Sequence, residues 1–284
     1  MKYSILCFWD NFCYDTNFLT SYFKNYHYTK NYNEADILIV GSFVGRIEYS
    51  IIKKLKCRKI LYISEPIQFF YPYTFELLKE NIFCMVFGCI NKDLKNSRIK
   101  LPLYMKYFDY KNKNNFINNA TPLKDCCLIN NHDKFGNRTA IYSLLKDVIK
   151  IECPSKLFNN CSNEELNRIG NVEYIKQFKF NICAENTRTV VPGYITEKLL
   201  NCCLGGAIPI YYGYFDEIDE KIFNKSRILF YDKDTIPEIR NKIVYLLENP
   251  EVFNAFYNQP PFCGTAYDTL LSLEGDFMNA LQRF

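Results

Sequence analysis

Short apolar runs alternate with amphipathic stretches along most of the chain. Apolar runs bounded by turn residues are typical of buried strands, and stretches with a 3.6-residue period are typical of helices. In the first part of the chain the apolar runs are YSILCFW, ADILIVG, RKILYIS, NIFCMVFG and RIKLPLYM. The stretches between them predict helices near residues 17–25 and 48–56. This alternation indicates a parallel sheet with crossover helices.

The alternation restarts after a polar segment. Residues 107–124 are poor in aliphatic side chains and contain a proline, so we interpret them as a linker. The later apolar runs are DCCLINN, KFNICAE, AIPIYYG and RILFYD, and helices are predicted over 138–150, within 163–178, from 193, from 235 and within 265–284. We therefore predict an α/β protein with two Rossmann-like domains, residues 1–122 and 123–284, facing each other across a ligand-binding cleft.

Composition excludes some classes of protein. The 35 basic and 31 acidic residues are spread along the chain, so the net charge of +4 indicates no nucleic-acid surface. No apolar run is long enough to span a bilayer, and Asp10 comes too early for the core of a signal peptide. We expect a soluble, cytoplasmic protein whose thirteen cysteines are mostly buried, reduced thiols, since no C-x-x-C pattern occurs.

The segment CAENTRTVVPGYITEKLL, residues 183–200, carries the most specific pattern. It places AEN at the end of a predicted strand, where ligands bind in open parallel sheets, and a predicted helix follows. A helix start favours an anion, and Lys198 adds a full positive charge there. We expect Gly193 to let a ligand approach the backbone, and Tyr194 and Lys198, four residues apart, to share one helical face.

Glu197 and Lys198 are adjacent, so on a helix their side chains point about 100° apart. Glu197 then need not neutralise Lys198 and is available to a different part of the ligand. We infer a nucleotide held in two places, with Lys198 on phosphate and Glu197 on the ribose hydroxyls. The alternative is a solvated ion pair on a surface helix.

The segment FKFNICAENTRTVVPGYITEKLLNCCLGGAIPIYYG resembles the signature of the α-1,3-fucosyltransferases, glycosyltransferase family 10. RKILYISEP, RIKLPLYM and LINNHDKFGNRTAIYSLL are similar to further segments of that family. The resemblance covers most of the chain and is weaker before Arg58. It implies a GT-B fold and inverting transfer of fucose from GDP-fucose to a sugar hydroxyl. Two features depart from the pattern: Ala184 replaces the usual Phe, and residues 187–192 lengthen the following loop.

The resemblance also implies roles for six residues. Glu65 matches the general base, and Arg138 matches the arginine that binds the donor phosphates. The matches to other residues that bind the nucleotide sugar are Asn186, Tyr194, Glu197 and Lys198. Without the resemblance, Glu65 is better explained as a turn residue before Pro66. Arg138 at a predicted helix start is mildly unfavourable unless an anion is nearby.

These residues suffice for the chemistry, so we expect neither a metal ion nor a cofactor. Asp232-Lys233-Asp234 has the D-x-D form of metal-dependent glycosyltransferases, but it precedes a predicted helix, where aspartate is a common cap. His27 and His132 lack the spacing of a zinc site.

The expected activity is fucosylation of a glycan acceptor, with α-1,3 linkage to a sugar of the N-acetylglucosamine or glucose type. Two alternatives stay open. One is a GT-B glycosyltransferase that uses another GDP-sugar, and the other is a non-catalytic protein that binds nucleotide sugars or carbohydrate.

Overall fold

The computed structural model describes residues 1–10, 12–13, 17–93, 97–117, 122–232 and 234–283. The chain divides into two compact units. The first unit comprises Met1–Lys106, Pro192–Tyr194 and Ser272–Phe284, and the second comprises Tyr107–Val191 and Ile195–Leu271. Each unit contains a parallel sheet, which confirms the predicted α/β class.

The sheet of the first unit runs in the order β2-β1-β3-β4-β5-β6. Its strands are β1 (Lys2–Leu6), β2 (His27–Tyr28), β3 (Ile37–Val40), β4 (Arg58–Ile63), β5 (Met85–Gly88) and β6 (Arg98–Lys100). All its strand pairs are parallel. The central strand β3 is fully buried, as expected for a parallel sheet covered on both faces.

The sheet of the second unit runs in the order β11-β10-β9-β7-β8. Its strands are β7 (Lys124–Cys127), β8 (Ile151–Glu152), β9 (Phe178–Ala184), β10 (Ile208–Tyr212) and β11 (Leu229–Phe230). Ala184, the last residue of β9, pairs with Tyr212, the last residue of β10. The carboxyl ends of these two strands therefore coincide, and the segment that begins with Glu185 starts from this edge.

The helices mostly follow the predicted pattern. They are α1 (Arg46–Lys54), α2 (Ile67–Phe70), α3 (Pro72–Lys79), α4 (Asn137–Leu145), α5 (Glu164–Ile169), α6 (Asn171–Ile175), α7 (Glu197–Gly205), α8 (Ile236–Glu248), α9 (Pro250–Tyr257) and α10 (Ala266–Leu281). The predictions did not include α2, α3 and α9. Buried apolar residues of α4 and α8 pack with those of β9 and β10 in the core of the second unit.

The helix predicted near residues 17–25 is wrong. The described residues of this segment form turns, and the Asn17 side chain accepts a hydrogen bond from the Leu19 amide at 2.8 Å. Asparagine competes for backbone groups in this way and disfavours a helix interior. Two further helices are shorter than expected: α4 ends at Leu145, and the helix predicted within 163–178 is broken at Gly170, where φ is +81°.

The predicted linker is packed, where it is described, rather than extended. The ring centroid of Phe116 lies 5.1 Å from that of Phe108 and 5.3 Å from that of Phe262. These contacts pack the described part of the segment within the second unit. Residues 118–121 of the segment lie outside the described residues. The expected boundary at residue 122 thus falls inside the second unit. The C-terminal part of α10, from Ser272, belongs to the first unit. There Phe277 packs against Phe87, with ring centroids 4.6 Å apart.

The thirteen cysteines all lie among the described residues, and all are free thiols. Eight are buried, as predicted, and burial raises the pKa of Cys126 and Cys202 well above the ordinary value. In the part of the chain that the structure describes, no helix is both long and apolar enough to cross a membrane. The cytoplasmic location stays a prediction.

Candidate functional site

Glu65 lies at the carboxyl edge of the first sheet, two residues after β4. It is half-buried, and Pro66 follows it as the N-cap of the short helix α2. The Tyr194 hydroxyl donates a hydrogen bond to Glu65 Oε2 at 3.2 Å. A carboxylate at this edge, aimed by a neighbouring hydroxyl, has the position expected of a group that acts on a bound ligand.

Tyr194 reaches Glu65 because the segment Pro192–Tyr194 belongs to the first unit. Gly193 has φ of +81°, and a Cβ at this position would lie 2.2 Å from the carbonyl carbon of Ile90. Only glycine fits a backbone conformation and an approach of this kind. The expected reason for Gly193 was close contact with a ligand, whereas in the structure it permits close contact with the chain itself.

The helix α7 begins at Glu197, later than predicted. Its N-cap Thr196 is extended, with φ of −112° and ψ of −170°. Tyr194 therefore precedes the helix, and the expectation that Tyr194 and Lys198 share one helical face is wrong. The structure places the two side chains in different units.

Glu185, which the sequence analysis did not single out, organises the start of α7. Its side chain is fully buried, and its Oε1 accepts a hydrogen bond from the Thr196 amide at 2.8 Å. The Thr196 hydroxyl donates to the same carboxylate, at 2.8 Å to Oε2. Lys198 Nζ lies 3.4 Å from Glu185 Oε2. A carboxylate thus already compensates the positive end of α7.

Glu197 and Lys198 form an ion pair rather than pointing apart. Lys198 Nζ lies 3.4 Å from Glu197 Oε1 and 2.9 Å from the Thr196 hydroxyl, and its side chain is 20% exposed. The long lysine side chain folds back over the first turn, so the 100° separation of the Cα–Cβ bonds does not separate the charges. The expectation that Glu197 leaves Lys198 unneutralised is wrong.

The charges of this cluster control its titration. Burial disfavours the charged form of Lys198, but the Glu185 and Glu197 carboxylates outweigh it and raise the lysine pKa above its ordinary value. Burial likewise acts to raise the pKa of Glu197, but Lys198 and nearby hydrogen bonds bring it below its ordinary value. Both groups are therefore charged at neutral pH.

Arg138 lies in the first turn of α4 and is only 2% exposed. Its Nη2 and Nε donate to the Ala184 carbonyl, at 2.9 and 3.2 Å, and Nη1 donates to the His132 carbonyl. These bonds hold the guanidinium at the carboxyl end of β9. The positive charge of Arg138 acts to lower the pKa of Lys198. The two cations therefore lie within electrostatic range of each other in the second unit.

Asn186 follows Glu185 directly and lies beside the same strand end. Its Nδ2 is 3.2 Å from His132 Nε2. The structure therefore brings together Arg138, Asn186, Glu197 and Lys198 around the end of β9 and the start of α7. Glu65 and Tyr194 form a second group in the first unit.

The D-x-D segment serves the start of α8. Asp232 Oδ1 accepts hydrogen bonds from the Thr235 amide at 2.9 Å and from the Thr235 hydroxyl at 3.0 Å, and Thr235 is the N-cap of α8. Hydrogen bonds from the Thr235 backbone and side chain lower the pKa of Asp232. Asp232 thus holds the turn that leads into α8, but it is not the N-cap, so the expected aspartate cap is wrong. Lys233 lies outside the described residues. The metal independence of the protein stays a prediction.

Comparison with known proteins relates the chain to one family. The family model described as glycosyltransferase family 10 (fucosyltransferase), C-terminal, matches residues 121–260. The α-(1,3)-fucosyltransferase FucT of Helicobacter pylori is 26% identical over 268 residues, which cover 81% of this chain and 53% of that protein. The α-(1,3)-fucosyltransferase B of Drosophila melanogaster is 32% identical over 131 residues, 44% of this chain and 25% of the fly protein. Residues 121–260 therefore match a glycosyltransferase family 10 domain.

The structural comparison agrees with this assignment. A crystal structure of an α1,3-fucosyltransferase with GDP-fucose superimposes with a TM-score of 0.69 at 16% identity, covering 98% of this chain and 90% of the other. The chain therefore has the GT-B fold, as the sequence predicts. It spans about half the length of the H. pylori relative.

Proposed function

We propose that this protein is an inverting fucosyltransferase that transfers fucose from GDP-fucose to a hydroxyl of a carbohydrate acceptor. The acceptor class is a sugar of the N-acetylglucosamine or glucose type, with α-1,3 linkage. The family match supports the reaction class. The observation that carries the proposal is the separation of chemical roles: one carboxylate with a hydroxyl partner in the first unit, and two cations with a carboxylate pair in the second.

Glu65 is the general base of the proposed reaction. A sugar hydroxyl is a poor nucleophile at neutral pH, so a carboxylate within hydrogen-bond reach accelerates its attack by taking the proton. The Tyr194 hydroxyl on Oε2 fixes one carboxylate oxygen. The Glu65 carboxylate accepts the proton of the attacking hydroxyl, whose oxygen forms the new bond to C1 of fucose from the face opposite GDP as the bond from C1 to the diphosphate breaks.

Lys198 and Arg138 act on the leaving group. Negative charge grows on the diphosphate as the bond to fucose breaks, and fixed cations stabilise this charge without reorganisation at the moment of reaction. Glu197 accepts hydrogen bonds from the ribose hydroxyls, and Asn186 adds a polar contact to the nucleotide sugar. In this mechanism the protein supplies the positive charge, and no step requires a metal ion.

A turnover screen tests the proposal. The purified chain is incubated with GDP-fucose, GDP-mannose and UDP-sugars against a panel that includes N-acetylglucosamine and glucose, with and without a metal chelator. We expect transfer from GDP-fucose in both conditions. Transfer from another GDP-sugar alone, or binding of GDP-fucose without any turnover, would replace the proposal with one of the two alternatives. Loss of activity with chelator would contradict metal independence.

Calorimetry with GDP tests the donor site separately. Lys198→Ala and Glu197→Ala each remove one of the two proposed contacts, so both should weaken GDP binding by roughly tenfold or more. Lys176→Ala and Glu173→Ala are the matched controls. Glu173 on α6 and Lys176, the residue after this helix, form an exposed ion pair at 2.6 Å. Wild-type affinity in both site variants would reject the proposed donor site.

A further inference from the structure

We infer that the rings of Phe43 and Tyr71 form the binding face for the acceptor sugar, beside Glu65. This inference rests on the proposed function, because it names the substrate surface of the same base. The ring centroids of Phe43 and Tyr71 lie 4.7 Å apart at 59°. Both residues are half-buried, and Tyr71 also packs against the core of the first unit.

The sheet register places Phe43 and Glu65 just after neighbouring strands. β3 and β4 are adjacent and parallel, and Val40 pairs with Leu61. Phe43 follows β3 by three residues and Glu65 follows β4 by two, so both leave the same edge from neighbouring strands. Neighbouring strands are about 4.8 Å apart. This is close to the width of one sugar ring.

Tyr71 lies at the junction of α2 and α3, within electrostatic range of the same carboxylate. Burial and then the nearby Glu65 charge raise the pKa of Tyr71 to about 12. The phenol is therefore neutral throughout the physiological range. A neutral ring next to a general base offers an apolar face together with a polar edge.

The backbone of Tyr71 is fixed. Tyr71 lies between α2 and α3 and is kept out of the helical region by Pro72, with φ of −131° and ψ of 73°. Its amide donates to the Ile67 carbonyl at 2.9 Å, and its carbonyl accepts from the Phe75 amide at 3.1 Å. The ring is thus presented by a rigid junction rather than by a loose loop.

A buried hydrogen-bond network joins the elements that carry the two rings and the base. The Ser42 hydroxyl accepts from the Ser64 amide at 2.9 Å, and the Thr74 hydroxyl donates to the Ser42 carbonyl at 2.7 Å. The Val44 amide in turn donates to the Thr74 hydroxyl at 3.3 Å. Ser42 and Thr74 are 0% exposed, and Ser64 is 3% exposed. Such fully satisfied buried networks rigidify a site.

The chemistry of this surface favours a pyranose. Ligand sites combine apolar and aromatic walls with a few precisely placed polar groups, and here the polar group is the base itself. In a sugar of the glucose configuration the hydroxyls are equatorial, so its axial C–H groups form an apolar face that stacks on an aromatic ring. A sugar stacked on Phe43 and Tyr71 directs an equatorial hydroxyl at its edge toward Glu65.

The decisive variants are Tyr71→Leu, which keeps apolar bulk without the ring, and Tyr71→Phe, which keeps the ring. At saturating GDP-fucose, Tyr71→Leu should raise the KM for N-acetylglucosamine about tenfold, while Tyr71→Phe stays within about threefold of the wild type. GDP affinity and slow hydrolysis of GDP-fucose by water should not change. Tyr245→Ala, at a 51% exposed ring on α8, is the control for loss of a surface aromatic.

A KM for N-acetylglucosamine that is unchanged in folded Tyr71→Leu overturns the inference, as does a parallel fall of transfer and hydrolysis. Direct binding separates this result from failure of the proposed function. Saturation-transfer NMR with methyl N-acetylglucosaminide should show binding to the wild type and to Tyr71→Phe but not to Tyr71→Leu, whether or not GDP-fucose is turned over. Equal signals from all three proteins, or none from the wild type, also overturn the inference.

Discussion

The Tyr194 hydroxyl lies 3.2 Å from Glu65 Oε2, although the two residues are 129 positions apart in the chain. The contact falls within the first unit, which includes Pro192–Tyr194. Tyr194 precedes α7 in sequence, yet its side chain contacts Glu65, the proposed base, rather than the start of α7.

Tyr194→Phe tests this assignment. A hydrogen bond to a charged group contributes about 1.5–3 kcal/mol, so loss of the hydroxyl should lower kcat by roughly ten- to a hundredfold through a less well-aimed carboxylate. GDP affinity, measured by calorimetry, should stay at the wild-type value. Weaker GDP binding with unchanged kcat would instead place Tyr194 on the donor, as the family resemblance implies.

Gly193→Ala should destabilise the protein much more than Gly136→Ala. The two glycines have similar φ values, +81° and +80°, so an alanine introduces a similar backbone strain of about 1–2 kcal/mol at each position. A Cβ at Gly193 would also lie 2.2 Å from Ile90 backbone, whereas at Gly136 nothing lies within 4 Å. We expect a total cost above about 3 kcal/mol for Gly193→Ala, measured by urea unfolding. Equal costs would refute the steric argument.

Among the described residues, the sequence predicts nine of the eleven strands and misses the two-residue strands β2 and β8. It starts α1, α4 and α8 within two residues of their observed starts, but it starts α7 four residues too early. Apolar runs such as that of β9 depend on local periodicity, and they were recovered. The start of α7 depends on Thr196, whose amide and hydroxyl are taken by Glu185 from the end of the preceding strand. No local pattern encodes that partner. The prediction therefore began the helix near Gly193 and missed Glu185.

The candidate site was likewise predicted only in part from the sequence. Asn186, Glu197 and Lys198 of the motif do gather at the end of β9, because they lie just after that strand and at the start of the following helix. Tyr194 of the same motif lies in the first unit instead. The surroundings of Glu65 were not predicted, since α2 has four residues and α3 has eight, both shorter than the window of about 11 residues over which helical periodicity is recognised.

Glu185→Gln should tighten GDP binding. The charges of Arg138, Lys198, Glu185 and Glu197 sum to zero, so replacing one buried carboxylate with a neutral amide leaves a net positive site for a diphosphate. The glutamine side chain keeps an oxygen that accepts from the Thr196 backbone N–H. We expect the Kd for GDP to fall about tenfold, or about 1.4 kcal/mol. Glu173→Gln on α6 is the control. Weaker binding would show that Glu185 acts only by holding the start of α7.

The affinity for GDP should be constant from about pH 7.5 to 8.5, where the guanine base also stays neutral. The pKa of Lys198 is raised above the ordinary 10.5, because Glu185 and Glu197 outweigh burial. The ammonium therefore persists over this range, and its stabilising contribution is complete below pH 10.5 and is lost as the pH rises through the raised pKa. Calorimetry across the range checks this. A steady loss of affinity there would mean that Lys198 deprotonates early.

The most direct test of the account is the turnover of Glu65→Gln with saturating GDP-fucose and N-acetylglucosamine. Glutamine keeps an oxygen for the Tyr194 hydroxyl but cannot take a proton, so kcat should fall by roughly 10²- to 10⁴-fold. GDP affinity should stay within about twofold, and the exposed Glu76→Gln variant of α3 should match the wild type in both measurements. A folded Glu65→Gln protein that transfers fucose at the wild-type rate would contradict the central claim that Glu65 is the base.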